Sequence, residues 1–237
     1  MKQRIWELDA FRGLCVLGMV IVHFIFDLVE LYGLVQWEYP PIFSFIKDWG
    51  GVLFVLVSGT CATLGSRSVK RGAVVFSCGI LVTAVTYGLY RLGLANAAII
   101  IYFGALHCLG VCMLLWPLFR KLPAAWLAVV GGVLTALGLW LRTRCWDFPW
   151  LIPLGFQTPD FLSADYFPLL PNMGFFLLGA ALGRVLYAKK ESLLPNVNTS
   201  RAPIPFLTAC GRNSLLIYLL HQPIITGITM MLAMLRR

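Results

Sequence analysis

Apolar side chains along this chain fall into long, nearly unbroken runs, not into the one-sided stripes of a water-soluble helix or the alternation of a surface strand. Seven runs stand out, near residues 13–33, 49–66, 72–93, 97–118, 124–141, 166–188 and 214–235. A helix rising about 1.5 Å per residue needs about 20 apolar residues to cross a bilayer, and the runs are close to that length. The pattern predicts an all-α fold, a polytopic transmembrane helical bundle of about seven spans forming one domain over residues 1–237. An eighth, re-entrant or half-length segment fits near 146–172 or 202–213. Met1-Lys-Gln-Arg4 resembles the start of a signal peptide. The run behind it, however, exceeds about 15 residues, contains Asp27 and lacks a small-x-small cleavage site, so it reads as a retained first helix.

Composition narrows the class further. Of the 237 residues, 59% are hydrophobic and only 12% charged, about half the charged share of a soluble domain. The seven cysteines are an odd number, and most lie in or beside apolar runs, which excludes a disulfide scaffold. The net charge of +9 comes from short clusters between apolar segments, not from one basic face, which excludes a nucleic-acid reader. With the N-terminus inside, 13 Lys and Arg residues are cytoplasmic and 6 face out, so the positive-inside rule predicts a cytoplasmic N-terminus; the expected location is a plasma (inner) membrane. The stretch 189–205 reads as a cytoplasmic linker. The outer loop 142–165, carrying Trp146, Phe148, Trp150, Phe156 and Phe161, reads as an ordered segment that either caps a substrate site or rests its aromatics at the membrane interface.

Ionisable groups inside a spanning helix are costly and mark function. The first run carries Asp9, Arg12, His23, Asp27 and Glu30. At about 100° per residue these fall along one face, with Glu30 returning almost onto Arg12. His23 and Asp27, spaced i and i+4, are expected to touch, the carboxylate orienting the imidazole as a base. His107 follows Gly104 in the fourth run. A second stripe in the last run holds Ser214, Tyr218, His221 and Gln222, ahead of a helix-bending Pro223. His107 and His221 suit interhelical hydrogen bonds as well as a substrate chamber, and no ligand spacing predicts a metal. Arg67, Lys70 and Arg71 follow the second run on the side of Arg12. Four cations at one mouth suit either topological anchoring or a clamp on the phosphates of a ligand.

Several segments resemble a known family, the small bacterial membrane proteins related to the catalytic part of heparan-alpha-glucosaminide N-acetyltransferase, within a wider superfamily of transmembrane acyltransferases. The resemblance rests on Glu7-Leu-Asp-Ala-Phe-Arg-Gly-Leu14 leading to His23-Phe-Ile-Phe-Asp-Leu28, and on Phe54-Val-Leu-Val-Ser-Gly59 with its basic run. Further blocks are Phe103-Gly-Ala-Leu-His-Cys-Leu-Gly110, Asp165-Tyr-Phe-Pro-Leu-Leu-Pro171 with Gly174 to Gly183, and Gly211-Arg-Asn-Ser-Leu-Leu-Ile-Tyr-Leu-Leu-His-Gln-Pro223. It implies transfer of an acyl group, usually acetyl, from cytoplasmic acyl-CoA to a sugar-containing acceptor, with no metal. Arg12 and His23 match the arginine and functional histidine of the superfamily's first helix, and Arg67, Lys70 and Arg71 occupy the place of a cofactor-phosphate site. His107, Tyr218, His221, Gln222 and Asp165 would line the substrate chamber, with Asp160 beside the sugar. The chain departs from the lysosomal enzyme in having no histidine in loop 32–48. It is also short for the superfamily, so a second copy in a homo-oligomer would complete a reduced acceptor site. The competing reading is a proton-coupled carrier of a small molecule or lipid, in which His23, Asp27 and Glu30 relay protons. The odd span count and the absence of an internal repeat speak against it.

Overall fold

A computed structural model of the chain describes residues 5–235. Lys2, Arg4, Arg236 and Arg237, which enter the charge count, lie outside the described residues. Among the described residues, six helices are long and apolar enough to cross a membrane. They are α1 (Trp6–Phe26), which continues as a π turn (Asp27–Leu31), α2 (Pro41–Leu64), α3 (Ser68–Arg91), α5 (Ala124–Leu141), α6 (Leu169–Leu186) and α8 (Ser214–Leu235). Between them lie a shorter apolar helix, α4 (Ala105–Phe119), and α7 (Ile204–Arg212), the short segment expected near 202–213. Helix α1 begins well before the apolar run because Glu7 and Asp9 in its first turn favour the positive end of the helix dipole. An apolar run marks the greasy part of a helix, not its full length.

The fourth run folds differently from the helix expected over 97–118. The Asn96 side chain accepts the Ala98 N–H and starts a single 3-10 turn, Ala97–Ile99. The chain then runs extended, Phe103 bridges to Tyr166, and the α-helix begins after Gly104. Its 15 residues rise about 22 Å, less than the hydrocarbon thickness of about 30 Å.

By its contacts the chain forms two compact units, residues 1–54 with 190–237, and residues 55–189. In the first, α7 lies antiparallel on the start of α1. The approach is so close that a Cβ at Gly13 would stand 2.0 Å from the Leu207 carbonyl oxygen, and one at Gly211 would stand 1.8 Å from that of Asp9. Helix α8 then runs parallel to α1, with Ser214 beside Arg12 and Gln222 beside Asp27. The linker 189–205 is tied down at its start: the Glu7 carboxylate accepts from the Ser192 hydroxyl at 2.8 Å and the Leu193 amide at 2.7 Å.

The second unit is built around α6, of whose apolar window 56% is buried against 11–22% in the other long helices. Phe176, Leu177 and Ala180 are fully enclosed. Helices α3 and α4 pair antiparallel through Gly72 and Gly110, and α5 and α6 through Gly131 and Gly174. Helix α4 runs parallel to α6, with Cys108 near Pro168 and Trp116 near Phe176. The end of α2 is also parallel to α6, with Leu56 against Gly179 and Thr60 against Gly183. The loop 142–165 is ordered, with Trp146 N–H on the Gln157 carbonyl and a 3-10 turn, Pro149–Leu154. Tyr166 donates to the Ile152 carbonyl at 2.7 Å, and burial pushes its phenol up to about 12.

Helix directions bear on the span count. Parallel α1 and α8 cross in the same sense, so an odd number of crossings must lie between them. Helices α2, α3, α5 and α6 supply four. Helix α4 is antiparallel to α3 and parallel to α6, the direction that a crossing between α3 and α5 must take. The nine residues of α7 are too few to cross. By length and apolarity six helices among the described residues can cross, and α4 runs in the direction that a seventh crossing between α3 and α5 would take.

Candidate functional site

The polar residues of α1 and α8 meet along one seam of the first unit. His23 places Nδ1 2.9 Å from the Met19 carbonyl oxygen. A carbonyl only accepts, so Nδ1 carries a proton and, in the neutral imidazole, Nε2 is the nitrogen that holds the lone pair. His221 repeats the arrangement, Nδ1 donating to the Tyr218 carbonyl at 2.6 Å. The two rings stand edge to face with centroids 4.9 Å apart, and the Tyr218 ring lies 5.5 Å from that of His221. One turn further along, Asp27 is 1% exposed. Its carboxylate accepts from Gln222 Nε2 at 3.2 and 3.1 Å and from the Thr226 hydroxyl at 3.5 Å. Gln222 Oε1 is buried without a hydrogen-bond partner among the described residues.

This corrects the expected His23–Asp27 hydrogen bond. The helical spacing does put both residues on the α8 side of α1, but the Asp27 carboxylate reaches across to α8 instead of along its own helix. The backbone carbonyl of Met19 takes the orienting role expected of the aspartate. Glu30 also leaves the stripe: the π turn, closed by Tyr32 N–H on the Asp27 carbonyl at 2.9 Å, slows the rotation of the chain and leaves Glu30 exposed.

Toward the start of the seam, Arg12 donates from Nη2 to the Ser214 hydroxyl at 2.7 Å, and its guanidinium lies 6.0 Å from the Phe54 ring centroid. Its Nε is buried and has no partner among the described residues. Arg12 therefore ties α1 to the beginning of α8. From His23 to Gln222 the seam presents two imidazole lone pairs, an amide oxygen and a carboxylate, all hydrogen-bond acceptors. An environment of that kind favours a ligand that donates.

The remaining candidates belong to the second unit. His107 accepts the Gly104 N–H on Nδ1 at 3.3 Å, so its proton sits on Nε2 and points to the Thr83 hydroxyl at 3.3 Å. Thr83 in turn donates to the Ile101 carbonyl. Gly79 makes room for the ring, since a Cβ there would stand 3.0 Å from it. Asp165 accepts the Ala105 N–H at 2.9 Å, capping α4 from outside its own chain segment. Both residues thus hold the extended stretch 100–104 to the start of α4. Asp160 is exposed. Arg67, Lys70 and Arg71 are exposed at the N-terminus of α3, where no acidic residue occupies the first turn. Cations at the positive end of a helix are electrostatically uncompensated, a setting that attracts anions.

Sequence reasoning does not single out Thr226, Thr83 or Met19. Thr226 carries a signal, lying one helical step beyond Gln222 on the polar stripe. Thr83 sits in an apolar run with none, and a backbone carbonyl has no sequence signature. Among the described residues no group of three His, Cys, Asp or Glu side chains stands together as a metal cage.

No curated protein and no solved structure matches the chain. Residues 4–223 match the family model described as heparan-alpha-glucosaminide N-acetyltransferase, catalytic. The match runs through both units and takes in the polar seam as far as Gln222, leaving out Thr226. Spanning more than nine-tenths of a chain with six membrane-crossing helices, it makes this multi-pass membrane protein a member of the heparan-alpha-glucosaminide N-acetyltransferase catalytic-domain family.

Proposed function

We propose that the protein is an acyltransferase that moves an acetyl or other short acyl group from cytoplasmic acyl-CoA to a sugar-containing acceptor at the inner membrane. The observation that carries this reading is the tautomer of His23. Its Nδ1 proton is held by the Met19 carbonyl, which leaves Nε2 as a base inside a helix otherwise made mostly of apolar residues. The acceptor's amine or hydroxyl donates its hydrogen bond to Nε2 and loses its proton there as its lone pair attacks the thioester carbonyl. The carbon–sulfur bond then breaks, and the imidazolium returns the proton to the departing thiolate. Where the acceptor group is an amine, its second N–H donates to His221 Nε2, and Asp27 holds α1 to α8 beside the two rings. Arg67, Lys70 and Arg71 hold the phosphates of the coenzyme.

The test is acyl transfer from labelled acetyl-CoA to amino sugars and glycans by the purified protein in nanodiscs. Acetyl-CoA binding is measured beside it, on the native chain and on His23→Ala. The reading expects transfer that His23→Ala abolishes while binding stays within twofold. Transfer that survives the substitution removes His23 as the base. Proton-coupled uptake into liposomes that ignores acyl-CoA and fails in His23→Ala replaces this reading with the carrier.

A further inference from the structure

Apart from the α1–α8 seam, the first unit holds a cavity of about 470 Å³ lined by Trp6, Thr199, Ser200, Ile204, Pro205, Thr208 and Arg212. We infer that this cavity binds the anionic group of a phosphate ester, supplied either by an acidic phospholipid headgroup or by a soluble phosphate monoester.

The donors in the lining argue for an anion. Trp6 Nε1 is buried without a hydrogen-bond partner among the described residues, a costly position for an indole N–H unless something occupies the cavity. Arg212 pairs with Asp9 through Nε, at 3.4 Å, so both terminal amino groups of its guanidinium fork remain for a ligand. The Ser200 amide is used in a turn closed by Asn198, which leaves its hydroxyl and that of Thr199 to serve the cavity. Thr208 is already committed, donating to the Pro205 carbonyl at 2.9 Å. Among the described residues, no carboxylate lines the space. A lining of this kind suits an acceptor-rich anion, and the guanidinium fork suits phosphate oxygens in particular.

Size and depth point to an ester. The volume falls in the range of small-molecule sites, about 300–1,000 Å³, and is far larger than a phosphate group alone fills. The Trp6 ring, Ile204 and Pro205 give it an apolar wall for an organic part. Helix α1 with its π turn has 26 residues, about 39 Å of helix against a hydrocarbon slab of about 30 Å. Trp6, Glu7 and Asp9 stand at the start of this helix, and tryptophan concentrates at headgroup depth. The binding groups are separate from His23 and from the cations of α3, and the proposal does not depend on acyl transfer.

The test uses the full chain without acyl-CoA, so acyl transfer and this site fail independently. Native mass spectrometry and tryptophan emission would follow four probes: phosphatidylglycerol and phosphatidylcholine in nanodiscs, and glycerol 3-phosphate and adenosine 3′,5′-bisphosphate in solution. The expected result is saturable binding of phosphatidylglycerol in preference to phosphatidylcholine, or of a soluble ester, which also tells the two sources apart. Arg212→Gln should weaken that binding at least tenfold, and Trp6→Phe should remove the emission change. Arg212→Lys keeps the charge but loses the fork. It should weaken binding by an intermediate factor and serves if the glutamine variant does not fold. The proposal is overturned if no probe binds the native chain, or if Trp6→Phe and Arg212→Lys, both folded, bind every probe within twofold of it.

Discussion

The contact between Asp27 and Gln222 ties the first helix to the last and yields a prediction that a thermodynamic cycle can decide. Asp27 is 1% exposed, and its carboxylate accepts from Gln222 Nε2 at 3.2 and 3.1 Å. Replacing Gln222 with Leu leaves a buried carboxylate with the Thr226 hydroxyl at 3.5 Å as its remaining hydrogen bond, a loss of about 3 kcal/mol. For a chain of this size that is about 6–12 °C in Tm. Asp27→Asn should behave in the opposite way. An amide at position 27 still accepts from Gln222 Nε2, and its NH2 donates to Gln222 Oε1, which has no partner among the described residues in the native arrangement. That variant should match or exceed the native stability. The double substitution Asp27→Leu with Gln222→Leu removes both partners together and should recover most of the loss. Reversible unfolding in mixed micelles measures all four chains. A Gln222→Leu chain within about 1 kcal/mol of native would show that the contact is not a buried hydrogen bond to a carboxylate. The same conclusion follows if Asp27→Asn falls as far as Gln222→Leu. Acyl transfer by Asp27→Asn then separates the packing of the carboxylate from its charge.

His23→Ala should lower acyl transfer by about 10²–10⁴-fold, the usual worth of a positioned base, with acetyl-CoA affinity unchanged in a calorimetric titration. Changing Arg67, Lys70 and Arg71 together to Gln should weaken acetyl-CoA binding, flatten its salt dependence and leave Tm unaltered, since all three side chains are exposed. Gly211→Ala puts a methyl 1.8 Å from the Asp9 carbonyl oxygen, so α7 must move off α1; a loss of at least about 1–3 kcal/mol is expected, with faster proteolysis of the 189–205 loop. Asp165→Ala removes the cap on the Ala105 N–H and should cost about 1 kcal/mol, read as earlier hydrogen exchange at the start of α4.

Much of the architecture is legible in the residues. A 59% hydrophobic chain with 20-residue apolar runs has to satisfy its backbone within helices wherever it meets lipid, so runs such as 124–141 and 214–235 coincide with α5 and α8. The blocks around Arg12, His23, His107, Asp165 and His221 likewise carry the family, because a match of this kind depends on residue types in order along the chain. The helical stripe sets His23 and Asp27 on one side of α1, since rotation per residue is a property of the local backbone. Partner choice is not local. Which carbonyl holds the His23 proton, that Asp27 reaches Gln222 and Thr226 instead of His23, and that the fourth run starts as an extended stretch all follow from how segments pack. A side chain on a helix takes the best partner within reach, and neighbours nearly 200 residues away enter that competition only when the chain is folded. Residue types and their order thus establish the class, the family and the polar faces. The pairings wait for the folded chain, because hydrogen bonds are short-ranged and only folding brings their two ends together.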